Sequence, residues 1–256
     1  MSNLQKRILL VEGDDDKHFV SNFCDKMLPR QLVCKFVEED NGSDSNDNST
    51  PILYIDSGSR KKGGIRNMIK RISPQIKKEE TEVVGIMADA NGQGFDSPEH
   101  PWQKIRSKLE EVLDFEDALP ELPCHKGLIR CNVRPKQKPK STLHVGVWLM
   151  PDNQSSGELE NFFAGLIQDN STWPLAKEYI SKYVGRSIEK ERTGSQRDGF
   201  DIDKLYKVSK AEVYAWLATR KKPGKMGAVI SKGHGLNFDS ELAQRFAQWL
   251  EDLFCF

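Results

Sequence analysis

Two short apolar runs that each end in acidic residues constrain the fold more than any other feature of the chain. The run Ile8–Val11 is followed by Glu12, Gly13 and three aspartates, and the run Val83–Ala88 is followed by Asp89-Ala90-Asn91. Aliphatic and β-branched runs that stop at glycine and carboxylates are typical of buried strands that lead into a site. Because ligands bind at the carboxyl ends of strands in open α/β sheets, we expect Glu12, Asp16 and Asp89 to come together.

Clustered carboxylates repel one another unless a positive charge neutralises them, and the usual neutralising group is a hard divalent cation. The pattern therefore predicts an enzyme that depends on Mg²⁺ (or Mn²⁺) and acts on phosphates, with Glu12, Asp16, Asp89 and Asn91 as ligands. Asp14 and Asp15 are suited to stabilise the start of the next helix. Two alternatives stay open: Asp16 is only a helix cap, and Asn91-Gly92 is only a tight turn.

Strands alternate with helices along the chain, which predicts an α/β fold with a mostly parallel sheet flanked by helices. We predict an α/β core over residues 1–168 and a mainly helical C-terminal part over 169–256, packed on the core or continuous with it. The hydrophobic patterns place strands at 6–11, 31–37, 52–55, 81–88 and 143–150. They place helices at 15–28, from 64, at 101–113, from about 158, at 171–184, at 203–219 and from about 239.

The composition excludes several classes of protein. Lysine plus arginine and aspartate plus glutamate both number 38, so nucleic-acid binding would need local basic patches. No apolar run approaches the ~20 residues of a membrane span, and the first strand follows the N-terminus too closely for a signal peptide. Five cysteines without CxxC spacing favour reduced thiols and a cytoplasmic location. The alternative is that Cys124, His125 and Cys131 form half of a zinc site.

Two stretches, 60–71 and 126–140, contain several lysines and arginines and no acid. They predict contacts to the phosphate backbone of a nucleic acid, although ordinary solvated surface is the alternative. The second stretch contains Pro135 and Pro139, which favour an extended hairpin or arm. The predicted contact residues are Arg60, Lys61, Lys62, Arg134, Lys136, Lys138 and Lys140.

The acidic motifs, taken in order, resemble the TOPRIM domain, the metal-binding module of topoisomerases, bacterial primases and OLD-family nucleases. Val11-Glu12-Gly13-x-x-Asp16 resembles its first motif, and Asp89-Ala90-Asn91 stands where TOPRIM proteins carry Asp-x-Asp after a central strand. Gly157-Glu158-Leu159-Glu160 resembles the additional acidic motif of OLD-type nucleases. With the strand end Met150-Pro151-Asp152-Asn153, nearly the whole chain is also similar to small stand-alone TOPRIM-like bacterial proteins of undetermined function.

The resemblance implies a TOPRIM-like, Rossmann-like sheet and metal-dependent hydrolysis of DNA or RNA phosphodiesters. It adds Asp152, Glu158 and Glu160 to the metal ligands, and it makes Glu12 a general base or a ligand. Lys210 is the best match to a basic residue that OLD-type enzymes use to stabilise developing charge. Asn91 departs from the family pattern, because an amide brings no charge and should weaken metal binding. Glu158 also fits a helix capping box that begins at Ser155.

Two other functions remain open. OLD-type TOPRIM domains are joined to ABC-type ATPases, and this chain has no Walker A motif of its own. The resemblance therefore also permits a non-catalytic module, or one that a separate ATPase activates. The remaining alternative is a receiver-like phosphoacceptor with Asp89 as the phosphorylated residue, which the chain length and the late acidic motif disfavour.

Overall fold

A computed structural model describes residues 6–37, 50–58, 64–90, 101–192, 208–220 and 226–255, with backbone only for 183–192. Within these ranges the strands are β1 (Lys6–Leu10), β2 (Val33–Phe36), β3 (Ile52–Asp56), β4 (Thr81–Asp89), β5 (Leu113–Asp114), β6 (Leu128–Pro135) and β7 (Leu143–Met150). The helices are α1 (Asp14–Met27), α2 (Ile65–Ile76), α3 (Pro101–Val112), α4 (Leu159–Leu166), α5 (Trp173–Arg192), α6 (Val208–Ala218), α7 (Met226–Ile230) and α8 (Glu241–Phe254).

The strands form a mostly parallel sheet in the order β2-β3-β1-β4-β7-β6-β5. The first five strands in this order run parallel, and β6 and β5 continue the sheet with antiparallel pairing. β4, β7 and the second half of β1 are largely buried and mostly apolar, as expected of strands that helices cover on both faces. The predicted α/β class with a mostly parallel sheet is confirmed.

Two hydrophobic cores lie on opposite faces of the sheet. On one face, α1, α4, α6, α7 and α8 pack around buried aromatic rings such as Phe162, Trp216 and Phe246. On the other face, α2 and α3 pack on the sheet through residues such as Met68 and Trp102. The helix after β1 therefore covers one face and the helix after β4 covers the other. Such a reversal opens a crevice at the carboxyl ends of these two strands, which is where α/β proteins bind ligands.

The last helix, α8, lies directly against the middle of the sheet. A Cβ added to Gly146 of β7 would lie 2.3 Å from Leu253 Cδ2, and one added to Gly85 of β4 would lie 2.5 Å from Phe254 Cζ. Any side chain at these two positions would push the helix away. The two glycines therefore allow the C-terminal helix to seal the core on the face that carries α1.

The predicted C-terminal part is helical wherever the structure describes it, apart from turns and one bridge between Ile167 and Leu236. Its helices α6, α7 and α8 share a single core with α1 and β7, so packing is continuous across residue 168. Among the described residues, no helix is both long and apolar enough to cross a membrane.

Candidate metal and phosphate site

The first two acids of the predicted site meet at the carboxyl ends of β1 and β4. These strands are hydrogen-bonded neighbours in the sheet. The Asp89 N–H donates to Glu12 Oε1 at 2.9 Å, and the Ile65 N–H also donates to the Glu12 carboxylate. The Leu159 N–H donates to Asp89 Oδ1 at 2.9 Å. The two carboxylates are therefore held side by side by backbone donors.

Three helices begin at this site. α1 starts just after Glu12, and the Gly13 N–H donates to Asp16 Oδ2 at 2.9 Å. α2 and α4 start at Ile65 and Leu159, the two residues whose amides bind Glu12 and Asp89. The unpaired N–H groups and the positive dipole end at a helix start both favour nearby anions. This convergence explains why the chain can gather carboxylates here.

A short backbone bridge brings the late acidic motif to the same place. The Ala90 N–H donates to the Met150 carbonyl at 3.0 Å, and the Gly157 N–H donates to the Ala90 carbonyl at 3.2 Å. The segment after Gly157 therefore lies across the end of β4. Glu158 and Glu160 are both buried there.

The basic residue Lys210 reaches the acids from α6. Its Nζ lies 2.7 Å from Glu160 Oε1, and its side chain is 44% exposed, whereas that of Glu160 is 6% exposed. Asn161 fixes the same junction, because its Oδ1 accepts from the Glu158 N–H and its Nδ2 donates to Ser209 Oγ. The structure thus brings together the predicted Glu12, Asp16, Asp89, Glu158, Glu160 and Lys210.

Partial or complete burial and mutual repulsion strongly disfavour the charged forms of these acids. Burial, followed by repulsion from Asp89, raises the pKa of Glu12 to about 8. Burial, followed by repulsion from Glu12, raises the pKa of Asp16 to about 8. The pKa of Asp89 lies well above its ordinary value because of burial and repulsion from Asp16 and Glu158. The backbone donors lower these pKa values but do not cancel the effect, so the group retains protons near neutral pH unless a cation replaces them.

The residues fit a hard divalent cation in their chemistry. Their side chains offer carboxylate oxygens, which Mg²⁺ prefers, and a cation would relieve the repulsion that raises their pKa values. Within the part of the chain that the structure describes, no group of three or more His, Cys, Asp or Glu side chains is arranged to hold a metal ion. The predicted gathering of acids is therefore present, whereas a ready-made coordination shell is not. The predicted ligand Asn91 lies outside the described residues.

Asp152 has a different environment from the other predicted ligands. Its Oδ1 accepts from the N–H groups of Gln154 and Ser155 at 3.0 and 2.6 Å, and its Oδ2 accepts from Ser155 Oγ. These bonds make Asp152 the first residue of a turn after β7.

The prediction of a capping box that begins at Ser155 is wrong. Glu158 itself is the N-cap of α4, and Asn161 supplies the reciprocal side-chain bond.

Two further residues contribute to the site without a clear signal in the sequence. Tyr214 lies one helical turn after Lys210 on α6, and its hydroxyl is 3.5 Å from Asp15 Oδ2. The i, i+4 spacing to Lys210 is the feature that could have indicated it. Arg71 donates to the Val11 carbonyl at 2.6 Å, and to the Asp56 carbonyl and Oδ1 at 2.6 and 2.5 Å. It thereby ties the ends of β1 and β3 together beside Glu12.

The basic stretches lie apart from the acids or outside the described residues. Arg60, Lys61 and Lys62 fall outside the described ranges, and Arg71 of the same stretch has the structural role just given. In the second stretch, Val133 pairs with Leu143, the first residue of β7. Arg134 near the end of β6 and Lys136, Lys138 and Lys140 in the turn that follows form a basic hairpin. This basic hairpin therefore lies at the amino end of β7, whereas Asp89 pairs with Met150 at its carboxyl end, about 25 Å away. Lys136 Nζ also donates to the Glu110 carbonyl near the end of α3.

Comparison with known families places the chain in one group. A family model described as "Protein of unknown function (DUF3226)" matches residues 6–255. The chain belongs to the DUF3226 family. No curated protein and no solved structure matches it. The matched range includes Glu12, Asp16, Asp89, Glu158, Glu160 and Lys210, so all of these site residues lie within the region that the family model covers.

The raised pKa values predict how the stability of this DUF3226 protein depends on pH. Folded Glu12 and Asp16 keep protons up to about pH 8, whereas the unfolded chain releases them near 4.5 and 3.8. Their contribution to stability is therefore complete below pH 4 and is lost as the pH rises through about 8. In EDTA, the urea concentration at the midpoint of unfolding should decrease as the pH is raised from about 5 to 8.5. A Glu12→Gln/Asp16→Asn variant should show a flatter profile, and a wild-type midpoint that rises over this range would contradict the assignment.

Proposed function

We propose that this protein hydrolyses phosphodiester bonds of nucleic acid in a reaction that requires Mg²⁺ or Mn²⁺. The observation that carries the proposal is the group of mutually repelling carboxylates at the crevice between β1 and β4, in which Asp16 is buried and Glu12 and Asp89 are partly buried. A buried surplus of negative charge is costly unless a cation binds to it. The half-exposed ammonium of Lys210 at the same place provides a positive charge that a substrate phosphate can approach.

Glu12, Asp16, Asp89 and Glu158 would hold the ion. When bound, a divalent cation supplies Lewis-acid polarisation of a phosphoryl oxygen and lowers the pKa of a bound water. Of the protein's own groups, Glu12 is suited to accept a proton from the attacking water. Lys210 is suited to stabilise the negative charge that develops on the phosphate oxygens. To do so, it would break its ion pair with Glu160 and contact the substrate phosphate instead.

The direct test is to incubate purified protein with plasmid DNA, single-stranded DNA and RNA, each with Mg²⁺, Mn²⁺ or EDTA. We expect cleavage of at least one substrate with either metal and none with EDTA. A Glu12→Gln variant purified in parallel controls for contaminating nucleases, because it should lose the activity. Cleavage that persists in this variant, or none in any combination, would contradict the proposal.

The position of the basic hairpin predicts a dependence on substrate length. The hairpin residues Arg134, Lys136, Lys138 and Lys140 are about 25 Å from the acids, so only a long nucleic acid can reach both. Replacing the four residues by alanine should weaken binding of a 30-residue oligonucleotide and flatten its salt dependence by roughly one unit of slope for each phosphate that is no longer neutralised. Cleavage of a dinucleotide should stay unchanged. Unaltered binding and salt slope would show that this loop is ordinary solvated surface.

A second candidate function is a module that a separate ABC-type ATPase activates. One observation favours it: Lys210 is paired with Glu160 rather than left for a substrate. In that case the isolated chain would bind metal but cleave slowly, and addition of the partner ATPase would raise the rate.

We also propose a cytoplasmic location. All five cysteines are free, which is typical of proteins in a reducing compartment.

A further inference from the structure

A cavity lined by basic side chains lies beyond the C-terminal end of α6. Its volume is about 330 Å³, at the lower end of the range of small-molecule sites, and the segments that follow α4, α6 and α7 form most of its wall. Three nitrogen-bearing side chains and three hydroxyls contribute to its lining: Arg220, Lys232, His234, Ser171, Thr172 and Thr219. Such a set of hydrogen-bond donors favours an anion.

The one acid in this cavity, Asp169, already has its charge satisfied by the protein. Its Oδ1 accepts from the N–H groups of Ser171 and Thr172 at 2.9 and 3.0 Å, and its Oδ2 accepts from Trp216 Nε1 at 3.0 Å and from Arg220 Nη2 at 2.7 Å. The hydroxyls of Ser171 and Thr172 donate to it as well. These donors, the Thr172 hydroxyl foremost, hold the pKa of Asp169 well below its ordinary value. Asp169 therefore serves to orient Arg220.

Arg220 is fixed in place with one nitrogen still available. Its guanidinium lies over the Trp216 ring, 4.2 Å from the ring centroid, and its hydrogen bonds to Asp169 and to two threonines use Nη2 and Nε. Nη1 has no hydrogen-bond partner in the part of the chain that the structure describes. It lies beside Gly235, where an added Cβ would be 3.6 Å away.

The segment after α7 adds two more donors beside this nitrogen. Lys232 and His234 are both exposed, and neither side chain has a partner among the described residues. Gly233 and Gly235 flank His234 with φ angles of 69° and 78°, which glycine adopts at no steric cost. Three unused donor groups from two separate segments thus line one cavity.

An exposed face of α6 leads from the carboxylates to this cavity. Lys210, Tyr214 and Ala218 follow one another at i, i+4 and i+8, and their exposed fractions are 44% and 39% for the first two side chains. Ala218 is exposed too. Arg220 follows Lys210 by ten residues (220 − 210), which is about 15 Å at the helical rise of about 1.5 Å per residue. This length corresponds to about four nucleotides of a strand that rises about 3.4 Å per nucleotide.

We propose that this cavity binds a backbone phosphate of the nucleic-acid strand, about four nucleotides from the phosphate at Lys210. The proposal rests on the proposed function, because it places a second phosphate of the same substrate. Arg220 Nη1, the Lys232 ammonium and the His234 imidazole donate to the phosphate oxygens, and the strand follows the exposed face of α6. Contacts of this kind hold a strand in position without reading its bases.

The test measures binding of labelled eight-residue single strands of DNA and RNA by fluorescence anisotropy, in EDTA so that the strand stays intact. The variant is Lys232→Ala/His234→Ala, because both side chains are exposed and their loss should leave the circular dichroism spectrum unchanged. We expect the Kd to rise roughly 10-fold and the salt dependence to weaken by roughly 0.7 units of slope for each phosphate that is no longer neutralised. Lys77→Ala/Lys78→Ala, which alters two exposed lysines at the end of α2, is the matched control and should bind as the wild type does.

AMP and inorganic phosphate, added as competitors, distinguish a backbone phosphate from a free one. Each should displace the strand only at millimolar concentrations, because each lacks the contacts along α6. Micromolar binding of AMP that depends on Lys232 and His234 would overturn the assignment to a backbone phosphate. A wild type that binds neither strand, or a variant with the wild-type Kd and salt slope, would also overturn it.

The outcomes separate this proposal from the proposed hydrolysis. If the Lys232→Ala/His234→Ala variant loses affinity but the wild type cleaves no substrate, the phosphate site stands and the hydrolase proposal fails. If the wild type cleaves nucleic acid and the variant binds as tightly as the wild type, the hydrolase proposal stands and the phosphate site fails.

Discussion

Replacing Asp89 by asparagine should reduce metal-dependent hydrolysis by roughly 100-fold or more, because a metal ligand loses its charge. The fold should survive. Asparagine keeps an oxygen in the place of Asp89 Oδ1, which accepts the N–H of Leu159 at the start of α4. The variant also removes one of the charges that repel Asp16, so the metal-free protein should be at least as stable as the wild type. Rates at saturating Mg²⁺ and urea midpoints in EDTA measure the two effects.

Asp152→Asn is the matched control for this prediction, because Asp152 is a nearby acid that is engaged in a turn. Mg²⁺ at 100 times its Kd should stabilise the wild type by about 2.7 kcal/mol, since it binds only the folded state. The Asp152 variant should keep most of this increase, and the Asp89 variant should lose it. An equal response of the two variants would show that Asp89 is not a ligand.

Replacing Arg71 by methionine should destabilise the fold by about 3–5 kcal/mol, the usual result of removing one partner from a buried ion pair. The guanidinium of Arg71 contacts Asp56 at 2.5 Å and also holds the Val11 carbonyl. Without it, the carboxylate of Asp56, a residue that is 8% exposed, would lose its countercharge. Urea unfolding monitored by circular dichroism measures this destabilisation.

The same helix supplies the control for Arg71. Arg66→Met removes an exposed charge from α2 and should change stability by less than about 0.5 kcal/mol. The double variant Arg71→Met/Asp56→Asn should recover part of the stability, because the uncompensated charge is gone. If the Arg71 and Arg66 variants unfold at the same urea concentration, Arg71 does not tie β1 to β3.

The sequence predicted the parallel strands and the acids that end them because each depends on a local pattern. β1 and β4 are short aliphatic runs, and their last residues point to the site in any parallel arrangement of adjacent strands. The start of α4 was located to within a residue by its apolar spacing. The antiparallel β6 was anticipated only as a hairpin, because its basic residues give no apolar alternation of the kind that marks a strand.

Long-range contacts account for what the sequence did not reveal. Glu160 reaches the acids only through the bridge between Ala90 and Gly157, and Arg71 reaches β1 only through tertiary packing. Burial decides which basic residues are structural and which face solvent, and the burial of a residue cannot be read from a run of lysines and arginines. The distance between the basic hairpin and Asp89 could not be predicted either, because it depends on the direction of β6 in the sheet.

The central claim, that the acids of β1, α1 and β4 bind a divalent cation, is tested most directly by soaking crystals with Mn²⁺ and locating the ion from its anomalous signal. We expect one strong peak among the carboxylates of Glu12, Asp16 and Asp89, with oxygens at about 2.1 Å, and no peak in crystals of the Asp89→Asn variant. A wild-type crystal at saturating Mn²⁺ whose three carboxylates bind no ion would contradict the claim.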